Sequence, residues 1–296
     1  MRRAAFLLLL ALVHGSASAA DHSIALTDDR GKTLLLPHPA RRIITLAPFL
    51  TELVFAAGAG DRLVGVSAYS DFPPAAKTKP QVGDAAGLDL ERLLALKPDL
   101  VLMWQSGNHP ADADRLAKLG IPVLVLDAQK LADVPRLLRL IGQTVGSGSA
   151  AQDAAQAFEA RLAQLTLRYQ SRRKVSVFLE IWHQPLMTVS GAHFLSDVVA
   201  RCGGLNVFAS AATLTPTIGL ESLLVADPEA IISSGSNLQE NWAPQQRLRA
   251  VAQGRVFAVN SDWLHRQSPR ILDGMQRVCE LLETVRAAGK PPALGR

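Results

Sequence analysis

Leu90-Glu91-Arg92-Leu93-Leu94 runs through Lys97-Pro98-Asp99 into Leu100-Val101-Leu102, and the same sentence is written again as Leu220-Glu221-Ser222-Leu223-Leu224, Asp227-Pro228-Glu229 and Ala230-Ile231-Ile232. Each copy reads as a short helix stopped by proline and followed by an apolar strand. A second echo pairs Phe49-Leu50-Thr51-Glu52-Leu53-Val54 with Phe194-Leu195-Ser196-Asp197-Val198-Val199. Both echoes keep their order along the chain, which favours two similar units over chance likeness. Between them, from Leu131 to Arg172, the chain is almost all helix-forming residues, broken near Gly146-Ser147-Gly148, and Ala150 to Tyr169 predicts one long helix.

Around these anchors the alternation of strands and helices continues. Ile43 to Leu46, Leu63 to Ser67, Leu100 to Trp104 and Pro122 to Asp127 read as strands; Thr51 to Ala59, capped by Thr51, and Asp112 to Leu119 read as helices. In the second half Val175 to Ile181, Ala230 to Ser234 and Val256 to Asn260 are strands, and Ser196 to Arg201, Gln245 to Ala252 and Ile271 to Ala287 are helices. The mature chain opens with a polar stretch ending near Arg42. Such alternation predicts mostly parallel sheets. The expected architecture is α/β, two similar Rossmann-like lobes joined by one long helix: lobe 20–148, linking helix 149–172, lobe 173–296. A helical link is stiff, so little lobe movement is expected, and the cleft between lobes is the expected ligand site.

The first 19 residues read as a signal peptide. Arg2 and Arg3 precede an apolar run from Ala4 to Val13, too short to span a bilayer, and Ala17-Ser18-Ala19 supplies small residues for cleavage. With no cysteine there to carry a lipid, a soluble periplasmic protein is expected. The composition, 48% hydrophobic and 19% charged, is that of an ordinary globular protein. The formal charge of +5 falls to 5 − 2 = +3 once Arg2 and Arg3 are removed. No basic run is interleaved with aromatics, and Arg172-Arg173-Lys174 reads as a solvated turn, so nucleic acid is not an expected partner. Cys202 and Cys279, an even pair in an oxidising compartment, read as a structural disulfide.

Enzyme signatures are missing. Gly58-Ala59-Gly60 follows a helix, not a strand, and reads as a helix C-cap rather than a dinucleotide loop. There is no P-loop and no G-x-S-x-G elbow. The histidines of the expected mature chain, His22, His38, His109, His183, His193 and His265, are scattered without metal-binding spacing, so no metal site and no cofactor are expected. His183 stands apart, beside Trp182 at the end of a strand. Aromatics make up only 5% of the chain. Tyr69, Phe72, Trp104, Trp182, Trp242 and Trp263 nevertheless sit at strand ends or in loops, where rings either line a cleft for a large flat ligand or plug the lobe cores.

The chain resembles the periplasmic cobalamin-binding protein family over about Arg42 to Val285. The resemblance rests on Gly65-Val66-Ser67-Ala68-Tyr69-Ser70-Asp71-Phe72-Pro73-Pro74, on Leu90-Glu91-Arg92 through Leu100, on Cys202-Gly203-Gly204, and on Ser261-Asp262-Trp263 through Ser268-Pro269-Arg270. It implies a class III periplasmic binding fold that captures cobalamin, a related corrinoid or another tetrapyrrole and hands it, as a monomer without catalysis, to an ABC importer permease and its ATPase. The same fold also serves haem and ferric-siderophore carriers; a periplasmic enzyme is the rival from another class. By position, Tyr69 and Trp104 resemble ring contacts, Asp262 a polar ligand contact, Glu91 and Glu221 permease-docking residues, and Cys202–Cys279 the family's disulfide. Relatives carry tryptophans where this chain has Ala85 and Thr215; Trp182, His183 and Trp242 are the expected replacements.

Overall fold

A computed structural model describes residues 23–84 and 87–288. The proposed signal peptide, Ala85 and the last eight positions lie outside the described residues. The chain opens with a hairpin, β1 (Ile24–Thr27) against β2 (Thr33–Leu36), where sequence alone suggested a polar tail. Then follow β3 (Ile43–Thr45), α1 (Pro48–Ala56), β4 (Leu63–Val66), the two-residue strands β5 (Gly83–Asp84) and β6 (Gly87–Leu88), α2 (Leu90–Ala95), β7 (Leu100–Trp104), α3 (Pro110–Lys118) and β8 (Val123–Leu126). Two helices, α4 (Asp133–Val145) and α5 (Gly148–Tyr169), lead into the second lobe. That lobe contains β9 (Val175–Glu180), α6 (Phe194–Arg201), β10 (Gly204–Asn206), α7 (Leu220–Ala226), β11 (Ala230–Ser233), α8 (Leu238–Trp242), α9 (Arg249–Ala252), β12 (Val256–Ala258), α10 (Ser261–Leu264) and α11 (Ile271–Ala288).

The two main sheets are parallel, ordered β4-β3-β7-β8 and β10-β9-β11-β12. Matched by position they are the same sheet twice, with α1 answering α6 and α2 answering α7. The echoes in the sequence are therefore echoes of structure. Side chains alternate across each strand. In β7, Leu100 and Leu102 enter one core while Val101 and Met103 enter another; in β9, Val175, Val177 and Leu179 oppose Phe178. The inner faces share one continuous core, bridged by Ala151, Ala155, Phe158, Leu162 and Leu165 of α5.

That shared core makes α5 a strut packed along its length. Gly146, at φ 69° in the left-handed region, ends α4 and lets the chain reverse into α5. Ser147 then donates to the Ala57 carbonyl at 2.6 Å instead of capping its own helix. Arg161 of α5 bonds Asp273 of α11 at 2.7 Å, tying the strut to the second lobe. Cys202 and Cys279 are disulfide-bonded and fully buried, joining the end of α6 to α11.

Two local expectations are corrected. Thr51 is not an N-cap: Pro48 starts α1, and the Thr51 hydroxyl is buried against Thr45 at 2.6 Å and Ser70 at 3.0 Å. Proline at the first helical position needs no donor there, which lets the helix begin early. The expected helix from Gln245 shrinks to Arg249–Ala252. The helical pattern instead leaves α8, which ends at Trp242, as a separate short helix.

Candidate functional site

The carboxyl-terminal ends of the strands in the two lobes face each other, because residues just beyond them bond across the boundary. Glu52, the sole charged residue of α1, is only 3% exposed. Its carboxylate accepts four hydrogen bonds from the other lobe. Arg266 Nη1 donates at 3.0 Å, Ser268 Oγ at 2.5 Å, and Arg270 Nε and Nη2 at 3.0 and 2.8 Å. Arg266 also donates to Asp71 Oδ1 at 2.6 Å and to the Tyr69 carbonyl at 3.1 Å, and pairs with Asp262 at 2.9 Å. The Arg270 guanidinium covers the Phe72 ring at 4.0 Å.

This network has the electrostatics of a closed unit. Burial works against charge on Arg266, but its bonds to Asp71 and Glu52 win and hold its pKa above the ordinary arginine value. Burial would raise the Asp71 carboxyl, yet the Arg266 hydrogen bond and charge keep it below the usual carboxylate range. Buried charges need this degree of mutual satisfaction. The sequence reading assigned no role to Glu52, Asp71, Arg266 or Arg270. The available signal was an isolated carboxylate in the otherwise uncharged Pro48–Ala56 helix.

The predicted ligand residues differ in how far they are exposed. Tyr69 and Asp262, from different lobes, are brought together: both meet Arg266, and the Tyr69 side chain stands 76% exposed at φ 64°. Trp182 is 63% exposed just past β9, its Nε1 donating to the Gln184 carbonyl at 2.8 Å. Trp104 ends β7 but is half-buried. Its Nε1 donates to Asp127 at 3.0 Å, Phe49 meets its ring edge-on at 5.6 Å, and Gly107 lies so close that a Cβ there would fall 1.9 Å from the ring. Only part of the Trp104 ring is thus left for a ligand.

Trp242 is a correction. It is 2% exposed, packs edge-on against Phe178 at 6.0 Å, and belongs to the outer core of the second lobe, so it cannot touch a ligand in the cleft. Its Nε1 instead donates to Glu180 Oε2 at 3.1 Å. The other Glu180 oxygen lies 2.6 Å from His183 Nδ1. Trp182, His183 and Glu180 line an open hollow of about 310 Å³ with Ser233, Gly235 and Asn237. It lies beyond the ends of β9 and β11, where the strand order reverses, the place where α/β sheets hold ligands. Thr215, one of the two positions lacking an expected tryptophan, is exposed in the loop before α7.

His193 caps α6 with a neutral ring: Nδ1 accepts from Leu195 N at 3.2 Å. Burial, aided by the nearby His265, lowers its pKa to about 4. The unfolded chain therefore binds a proton at mildly acid pH that the folded chain refuses. Stability is intact above about pH 6.5, the unperturbed value, and falls as pH drops toward about 4. We expect His193 to account for about 2 kcal/mol of lost stability between pH 8 and pH 5. Urea titrations of the wild type and of His193→Asn, which keeps a capping oxygen, check this. Parallel pH profiles for the two proteins would reject it.

Glu91 and Glu221 are exposed in the first turns of α2 and α7, the matched helices of the two lobes. Neither makes a hydrogen bond or ion pair among the described residues. In α2, capping falls to Asp89, which accepts from Arg92 N at 2.9 Å.

Comparison with known proteins fits this geometry. Residues 43–262 match the profile of the family described as periplasmic binding protein. A vitamin B12-binding protein of Vibrio cholerae is 36% identical over 253 residues, 84% of this chain and 92% of that protein. One from Yersinia pestis is 38% identical over 258 residues, 85% and 90% of the two chains. The crystal structure of the periplasmic vitamin B12 binding protein of Vibrio cholerae superposes with a TM-score of 0.78 at 35% identity, covering 84% of this chain and 98% of that one. A periplasmic heme-binding protein of Roseiflexus, at 21% identity, shares the fold with a TM-score of 0.74 over 83% and 99% of the chains.

Proposed function

The chain belongs to the periplasmic binding protein family, and from that premise we propose that it captures cobalamin or a related corrinoid between its lobes and delivers it to an ABC importer. The observation that carries this is that each lobe leaves a large ring exposed beyond its strand ends, Tyr69 in one and Trp182 in the other, while Glu52, Arg266 and Arg270 tie the two lobes together. Large exposed aromatics are costly to leave wet and suit a broad, flat, partly apolar ligand. Asp262 adds an acceptor for a ligand amide or hydroxyl. The vitamin B12-binding proteins, related along most of the chain, support a corrinoid over other flat ligands. The protein binds and releases; it performs no reaction.

Calorimetric and absorbance titration with cyanocobalamin, haemin and a ferric siderophore tests the reading. Saturable cyanocobalamin binding at one per chain is the expected result, and tight binding of haemin alone would overturn it. Tyr69→Ala is expected to weaken cyanocobalamin about two- to tenfold, the worth of one aromatic face. Tyr69 is the cleaner probe than Trp104, whose removal also strips Phe49 and Asp127 of partners.

Glu91 and Glu221 are proposed to dock on basic groups of the permease, one from each lobe. Each carboxylate also favours its own helix N-terminus, worth about 0.3–1 kcal/mol, but that role does not couple the two. Charge pairs at an interface govern encounter and orientation. Glu91→Lys and Glu221→Lys are expected to slow uptake in cells while cyanocobalamin binding holds, with the double variant worse than either. Normal uptake by the double variant would reduce both residues to helix-start carboxylates.

A further inference from the structure

Glu180 closes β9 with its carboxylate buried, 4% exposed, and both oxygens engaged: Oε2 accepts from Trp242 Nε1, and Oε1 lies 2.6 Å from His183 Nδ1. The edge of the His183 ring is fixed against Trp242, centroids 5.6 Å apart and planes at 79°. An ionised carboxylate can only accept, so the contact calls for the proton on Nδ1, and in the neutral ring Nε2 then carries the lone pair. Nε2 has no hydrogen bond among the described residues, while its side chain is 29% exposed in the wall of the hollow below Trp182. An imidazole backed by a carboxylate through one nitrogen and open at the other is the arrangement of a metal ligand, because the carboxylate fixes the tautomer and raises the basicity of the free nitrogen.

A free ion would find no further ligands here: no group of three metal-binding side chains exists among the described residues. A metal that arrives already held in the plane of a macrocycle needs only one. We propose that His183 Nε2 is an axial ligand to the central metal of a tetrapyrrole carried in the cleft, specifically to cobalt in a corrinoid whose own base does not fill that position. This rests on the corrinoid-capture reading above and extends it to incomplete corrinoids. The step is a ligand exchange. One metal-bound water leaves, the Nε2 lone pair takes its place, no electron moves, and the Nδ1 proton stays with the Glu180 hydrogen bond.

The test uses diaquocobinamide, with exchangeable axial positions, dicyanocobinamide, with both blocked, cyanocobalamin and haemin. Wild-type protein is expected to shift the near-ultraviolet band of diaquocobinamide away from that of the free compound, and His183→Ala to abolish the shift. The loss of affinity in His183→Ala is expected to be about tenfold greater for diaquocobinamide than for dicyanocobinamide. His183→Asn keeps an N–H for Glu180 but supplies no ring nitrogen. It guards against a variant that fails only because Glu180 is left unpaired, and is expected to lose the shift as well. Glu180→Gln is expected to weaken diaquocobinamide by roughly 10–100-fold, the range for partners behind a metal ligand. A shift that persists in both His183 variants, or diaquocobinamide bound by the wild type without a shift, overturns the ligation and leaves corrinoid capture standing. A shift with haemin alone keeps His183 as the ligand and refutes the corrinoid. Binding of none of the four refutes both.

Discussion

Glu52→Ala is expected to lower the free energy of unfolding by about 3–5 kcal/mol, the cost of stranding buried charges by removing their partner. Arg270 loses its paired carboxylate and Ser268 its acceptor, while Arg266 keeps Asp71 and Asp262 but loses its buried partner. The neighbouring acids Asp71 and Asp262 are paired with Arg266, so Arg270 is the guanidinium left stranded. Urea unfolding of the wild type and the variant gives the difference directly. Glu52→Gln, which keeps the shape and removes the charge, is expected to fall between them. A loss below about 1 kcal/mol for the alanine variant would show that water or rearranged side chains satisfy the two arginines. Because the network spans the lobes, Glu52→Gln is also expected to weaken cyanocobalamin binding with no change at Tyr69 or Trp182.

Removing the disulfide carries an effect of similar size by a different route. Cys202 and Cys279 close a loop with a sequence separation of 77. Fixing the ends of a loop of that length in the unfolded chain is worth about 4–5 kcal/mol in the chain-entropy model. The double variant Cys202→Ala, Cys279→Ala also leaves a void between α6 and α11, where both residues are fully buried. We expect the double variant to lose at least about 3 kcal/mol in urea relative to the oxidised wild type. Free-thiol counting of periplasmic material under denaturing, non-reducing conditions should find none. Two titratable thiols per chain would remove the bridge from the native protein.

Much of the fold was legible because it is local and repeated. Apolar runs such as Leu100–Trp104 and Val175–Glu180 are strands buried on both faces, and prolines and glycines punctuate the helices between them. The doubled helix-strand phrase gave away the two lobes for the same reason. The opening hairpin was illegible: Ile24–Thr27 and Thr33–Leu36 each bury a single side chain, too little to set a visible period. Trp242 was misread because sequence shows that an aromatic lies near a strand end, not on which side of the sheet its helix packs. Glu52 was missed for a plainer reason. Its partners are more than 200 positions away, the first of them 214 residues along the chain, and no periodicity connects a carboxylate to an arginine at that distance.

The strut of α5, packed from end to end and seconded by the Glu52 bolt, has a consequence for communication. A carrier whose halves swing shut on its cargo advertises the event on its outer surface. We expect the lobes that carry Glu91 and Glu221, tied by this frame, to move little when cargo binds. On that expectation, occupancy is not broadcast through the shape of the molecule. With the proposed docking at Glu91 and Glu221, a transporter that tells loaded carriers from vacant ones would read the cargo itself, at the mouth of the cleft.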